Sequence, residues 1–129
     1  MDFLEQMEFT NRENRFMRHC GIHITYLERD GCRAELDVAE YCKNTGEMIH
    51  GGLLYTMADC AATAYARAVV QSPVTLSADF HYLSNVAEGT VTAEVEPVRI
   101  GGRVQVFRAK VRCGEAALAE GTFTCLNRG

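Results

Sequence analysis

A chain of 129 residues, 47% hydrophobic and 23% charged, has the residue usage of an average globular protein, and its length predicts a single domain spanning 1–129. A net charge of −4 with the basic residues scattered leaves no electrostatic footprint for a nucleic-acid backbone or an anionic membrane. The longest apolar run is too short to cross a bilayer and the acidic start MDFLEQMEF is unlike a secretory signal, so the expected location is the cytoplasm.

In chain order, residues 1 to 20 carry Phe3, Leu4, Met7, Phe16 and Met17 around the polar run TNREN, which predicts one or two short amphipathic helices. From Ile22 the period changes to two. Ile22, Ile24 and Tyr26 alternate with His23, Thr25 and Leu27, Asp30-Gly31 reads as a hairpin turn, and CRAELDVA alternates Cys32, Ala34, Leu36 and Val38 against charged residues. A loop from about Glu40 to Ile49 leads into a helical pattern from His50 to about Val70, with Leu53, Leu54, Met57, Ala58, Ala61, Ala64, Tyr65 and Ala68 at spacings of three and four. Its many alanines imply that a sheet or helix approaches it closely. Beyond Ser72-Pro73, four runs rich in β-branched and aromatic residues (VTLSADFHYL, GTVTAEVEPV, RVQVFRAKVR, AALAEGTFTCL) predict four strands joined as an antiparallel meander. The expected fold is α+β, with about six antiparallel strands and the long helix on the concave side. Six cysteines without a C-x-x-C pair read as reduced thiols, most of them packed as small hydrophobes.

The long helix contains an unexpected aspartate. Thr56, Asp59 and Thr63 form a narrow polar strip on an otherwise apolar surface. In ordinary helices such a strip faces solvent, but in one this rich in alanine burial is expected, and a buried carboxylate is hydrogen-bonded or poised to react. At the helix start, Gly51 and Gly52 leave backbone N–H groups unobstructed, and the aligned peptide dipoles add positive charge there. Such a helix mouth stabilises a carbonyl oxygen that gains charge during acyl transfer. Gly51 and Asp59 are eight residues apart, roughly 12 Å along the axis. A single site using both therefore needs a second subunit, and a two-fold dimer supplies two such sites.

The constellation Asn44, His50, Gly51, Gly52 and Asp59 resembles the signature of hotdog-fold thioesterases, specifically the PaaI-like branch that hydrolyses acyl-CoA thioesters. An asparagine stands six before the histidine, His-Gly-Gly follows, and an acidic residue stands nine after the histidine; Thr75 and Tyr82 match a hydroxyl residue seven before an aromatic in the next strand. The resemblance implies an antiparallel sheet wrapped around one long central helix over most of the chain, in a homodimer or a homotetramer. It implies that the Gly51 N–H polarises the thioester carbonyl and that Asp59 of the partner subunit is nucleophile or general base. Asn44 and His50 then position the carbonyl or the water, and Thr75 orients the water or the aspartate. The chain departs from the family where it reads Asn44-Thr45-Gly46-Glu47 in place of Asn-Pro-x-Gly, and where Asn85 replaces a proline after the strand aromatic, a place of acyl-pocket or nucleotide contact.

Hydrolysis of a thioester requires an acceptor for oxyanion charge and a carboxylate near water, with no metal or redox cofactor. Neither His50 nor His81 has metal-ligand neighbours at helical spacing, and coenzyme A enters only as part of the substrate. Leu53, Leu54, Met57, Phe80 and Tyr82 are candidates to line the acyl pocket. Gly101-Gly102-Arg103 is a candidate contact for coenzyme A phosphates, beside its plainer reading as a hairpin turn. A non-catalytic acyl-CoA binding or sensing module, an enoyl-CoA hydratase or dehydratase on the same fold, and Cys60 as nucleophile are the competing readings.

Overall fold

The computed structural model describes residues 1–129. Two short helices, α1 (Phe3–Glu13) and α2 (Arg15–His19), precede the strands β1 (His23–Glu28) and β2 (Gly31–Asp37). A 3₁₀ turn (Glu40–Cys42) leads to α3 (Gly51–Val69), and β3 (Pro73–Tyr82), β4 (Thr90–Ile100), β5 (Val104–Cys113) and β6 (Ala116–Asn127) complete the chain. Asp2 caps α1 by accepting the Glu5 N–H at 2.8 Å, and Asn14 does the same for α2 with the Met17 N–H at 3.1 Å. No helix is long and apolar enough to cross a membrane.

All strand pairs are antiparallel, in the order β1-β2-β4-β5-β6-β3. This corrects the expected four-strand meander: only β4-β5-β6 meander, while β3 pairs with β6 and ends as an edge strand. The physical reason lies in the connection Leu83–Gly89, which straps across the start of α3 through the Ile49 N–H to Val86 carbonyl bond. The chain thus reaches the free edge of β2, where Val91, Ala93 and Val95 stand opposite Leu36, Ala34 and Cys32, all six buried. Gly121 of β6 is needed for β3 to lie close, since a Cβ there would run into the Asp79 carbonyl.

A second correction concerns β1. Its register shifts between Ile24 and Tyr26, so Leu27 rather than Tyr26 joins Ile24 in the core. A bulged residue inverts the alternation after it.

Helix α3 lies across one face of the sheet. Ala58, Ala61, Ala62 and Ala66 are fully buried, and the short side chains let the strands come close, as the alanine content predicts. The opposite face is polar. One row across all strands but β1 reads Arg33, Glu94, Lys110, Glu120, His81, the first four alternating in charge, which keeps that face in water. All six cysteines are free thiols, four of them buried.

Candidate active site

The N-terminal cap of α3 is built by residues near it in sequence. His50 takes the N-cap position with extended backbone, and its Nδ1 accepts the Gly52 N–H at 2.9 Å while its carbonyl accepts the Leu53 N–H at 3.0 Å. An accepting Nδ1 puts the proton of a neutral imidazole on Nε2, facing outward as a donor. Of the first three helical N–H groups, only that of Gly51 has no partner in the chain. The expectation that the Gly52 N–H is open is therefore corrected, because His50 covers it, and α3 begins at Gly51 rather than at His50.

Tyr82 lies on Gly51: a Cβ there would stand 3.0 Å from Tyr82 Cε1, so the ring would have to give way by a few tenths of an ångström. Tyr82 stands edge-on to Phe80 at 5.3 Å between ring centres, and Phe80 continues the aromatic wall to Tyr55 at 5.5 Å and Phe123 at 5.7 Å. Tyr55 was not singled out in the sequence. Its signal was there, since a residue four after Gly51 shares its side of the helix one turn on. Leu54 and Met57, by contrast, are 1% and 0% exposed and belong to the core, which corrects their expected place in the acyl pocket; Leu53 is the half-buried neighbour.

Two asparagines hold this mouth in place. Asn44 Oδ1 accepts the N–H groups of Gly46 at 2.8 Å and Met48 at 3.2 Å, closing the loop in which Glu47 takes a left-handed φ of 65°. Asn85 Nδ2 donates to the Ile49 carbonyl at 3.0 Å, so this residue, expected at the acyl pocket or nucleotide, spends its amide on the residue before His50.

The middle of α3 is positioned from far away in sequence. Asp59 is half-buried on the side of α3 turned away from the sheet's centre, and Thr75 of β3 donates to its Oδ1 at 2.5 Å. Burial raises the Asp59 carboxyl above its ordinary value, and the Thr75 hydrogen bond opposes that rise. Thr56 and Thr63 take no part in holding the carboxylate, because their hydroxyls donate to the Gly52 and Asp59 carbonyls at 2.9 and 2.8 Å. Cys60 is buried, and burial first, then the neighbouring Asp59, push its thiol up to about 12, which keeps it protonated and a poor nucleophile. Arg103 is exposed on the hairpin between β4 and β5, tied to Asn127, whose N–H donates to the Arg103 carbonyl at 2.7 Å. Registers Val104↔Leu126 and Pro73↔Asn127 put that hairpin beside the start of β3, apart from the helix mouth.

Known proteins resemble this chain in sequence and in fold. Residues 46–120 match the family model of the thioesterase superfamily. The chain is 32% identical over 95 residues to the protein of Bacillus subtilis named "Putative esterase ComA2", covering 70% of this chain and 75% of that one. It is 28% identical over 94 residues to the 1,4-dihydroxy-2-naphthoyl-CoA hydrolase of Listeria monocytogenes, covering 70% and 76%. The structure of the PaaI protein of E. coli superposes with a TM-score of 0.91 at 17% identity, over 98% of this chain and 93% of that one. A match over more than half of the sequence, joined to one long helix packed on a six-stranded antiparallel sheet, shows that the chain belongs to the thioesterase superfamily and has its hotdog fold.

Proposed function

We propose that the protein hydrolyses acyl-CoA thioesters to the free acid and coenzyme A at sites shared between two copies of the chain. The observation that carries this reading is the arrangement of Gly51 and Asp59 along β3. Gly51 sits under Tyr82 at one end of the strand, and Asp59 is bonded to Thr75 at the other. β3 is an open edge with Leu76 and Tyr82 exposed at 60% and 54% and Leu83 just beyond it at 53%, a surface suited to pairing with another strand. Antiparallel pairing of two such edges about a two-fold axis near Ala78 and Asp79 brings the Thr75 end of one strand towards the Tyr82 end of the other. Each Asp59 then meets the partner's free Gly51 N–H, and the roughly 12 Å between them within one chain ceases to matter. A pair of such dimers would form the tetramer the family resemblance implies.

In this site the thioester oxygen accepts the Gly51 N–H, with His50 Nε2–H beside it, at the positive end of α3. The water or the carbonyl carbon faces Asp59 Oδ2, since Thr75 holds Oδ1. Acting as base, Asp59 takes a proton from the water as its oxygen bonds to the carbonyl carbon. The tetrahedral intermediate then collapses with loss of the CoA thiolate, which is protonated to the thiol. Acting as nucleophile, the carboxylate forms an anhydride that water opens. A single turnover in ¹⁸O-water reveals an anhydride that water opens at the Asp59 carboxyl carbon, since the unlabelled oxygen of Asp59 then leaves in the product and the label enters Asp59. The first test is release of free CoA thiol from a panel of short, long and aromatic acyl-CoAs. Binding without thiol release would make the chain a binding module instead, and hydration of enoyl-CoA with no thioester cleavage would make it a hydratase.

A further inference from the structure

Beyond the reacting groups, the polar strip of α3 continues in a direction the site has not used. At about 100° per residue, Thr63 and Arg67 lie about 40° and 80° round the helix from Asp59, one and two turns further on. There α3 forms one wall of a cleft of about 290 Å³, with Thr63, Ala64 and Arg67 facing Phe9, Thr10, Glu13 and Asn14 of the N-terminal helices. Arg67 is exposed and its guanidinium meets no carboxylate in the chain; it rests over the Phe9 ring at 5.1 Å. Glu13, the one acidic residue of the cleft, is engaged by Arg12 at 2.9 Å, and Arg12 also lies at the Phe9 ring, at 5.8 Å. A second cleft of the same volume, on the outer sheet face, holds Arg108 already paired with Glu96 at 2.9 Å and lies away from α3.

We propose that the cleft between α3 and the N-terminal helices is a subsite for the far end of the acyl group, and that Arg67 selects acyl groups ending in an anionic oxygen group, a carboxylate in the first instance. The proposal rests on the thioesterase reading, which sets the thioester carbon at Asp59. An acyl chain lying along α3 from there passes Thr63 and enters the cleft. Side chains on a helix lean towards its N-terminus, so the Arg67 guanidinium comes back to meet it. Phe9 supports that guanidinium by a cation–π contact, which fixes its direction without neutralising it. A carboxylate accepts two parallel N–H bonds from such a group, an interaction a methyl end cannot make.

The test compares adipoyl-CoA with hexanoyl-CoA, equal in length and different only in the terminal carboxylate, on the wild type, Arg67→Gln and Arg67→Lys. The expected result is a wild-type preference for adipoyl-CoA of about tenfold or more in kcat/KM, carried by KM. Arg67→Gln should abolish that preference with hexanoyl-CoA turnover unchanged, and Arg67→Lys should keep part of it. The same acids as N-acetylcysteamine thioesters, which lack the nucleotide, should show the same dependence on Arg67. If the dependence vanishes with the nucleotide, Arg67 holds a coenzyme A phosphate and the proposal is overturned. Equal losses on both acyl groups, or none, overturn it too while the thioesterase reading stands. Absence of hydrolysis across the whole series overturns both.

Discussion

The two halves of the site sit on one helix but are made in different ways. At the mouth of α3, His50, Gly51 and Gly52 act through backbone geometry, and the hydrogen bonds that shape the cap are local, His50 to Gly52 within two residues and Asn44 to Gly46 and Met48 within four, with Asn85 and Tyr82 added from the strap and edge strand. At its middle, Asp59 is made what it is by Thr75, 16 residues on and in another element, and by burial. The Gly51 N–H and the helix dipole supply a fixed partial charge. The middle supplies a group whose charge depends on pH and surroundings, and a hydrogen bond from the edge strand tunes it. A subunit contact at β3 therefore bears on the titratable half directly and on the dipolar half only through Tyr82 and Gly51.

The largest effect that separates the halves is expected for Asp59→Asn. It should lower kcat by about 10²- to 10⁴-fold in the thiol-release assay and leave the dimer intact by size-exclusion chromatography. Retention of most activity would remove Asp59 from the chemistry. Gly51→Ala comes next, because the methyl would press on Tyr82; a shift of the mouth by a few tenths of an ångström to 1 Å is expected to cost up to about 10²-fold in kcat. Mixing the two defective chains sharpens the comparison further. A dimer of one Asp59→Asn chain and one Gly51→Ala chain keeps one intact site of two, so about half the wild-type activity per mixed dimer should return. No recovery would show that both halves act within one chain.

Two smaller effects follow. Because burial raises the folded-state Asp59 carboxyl above its unfolded value, the stability tied to that group is full below the ordinary carboxylate range and is lost as pH rises through the raised value. Asp59→Asn should therefore have a higher Tm than the wild type at neutral pH, with the difference shrinking as the solution is acidified. The acid limb of the wild-type rate profile should lie above the range of an ordinary aspartate, since activity needs the ionised form. Asn85→Ala removes the bond to the Ile49 carbonyl and is expected to cost about 1 kcal/mol in urea denaturation, with only a modest fall in kcat.

Much of this was legible in the sequence because it depends on local pattern. The spacing of Leu53, Met57, Ala61 and Ala64 located α3, alternation located the strands, and the run from Asn44 to Asp59 carried the family resemblance through backbone features that adjacent residues encode. The sheet order was not legible. Whether β3 lies beside β4 or β6 depends on the strap at Asn85 and Val86 and on which edge is free, and alternation is the same in either case. Leu54 and Tyr55 illustrate the same limit at the scale of one residue, since both sit at apolar positions and only the packing of β3 and β6 decides which is core and which is wall. The sequence by itself determined the elements, the helix mouth and the family, because hydrophobic period and backbone capping are short-range. Tertiary structure alone decided that Asp59 is hydrogen-bonded by an edge strand, that Tyr82 lies on Gly51, and that Arg67 overlooks an open cleft, because those facts depend on which side chains distant parts of the chain bring together.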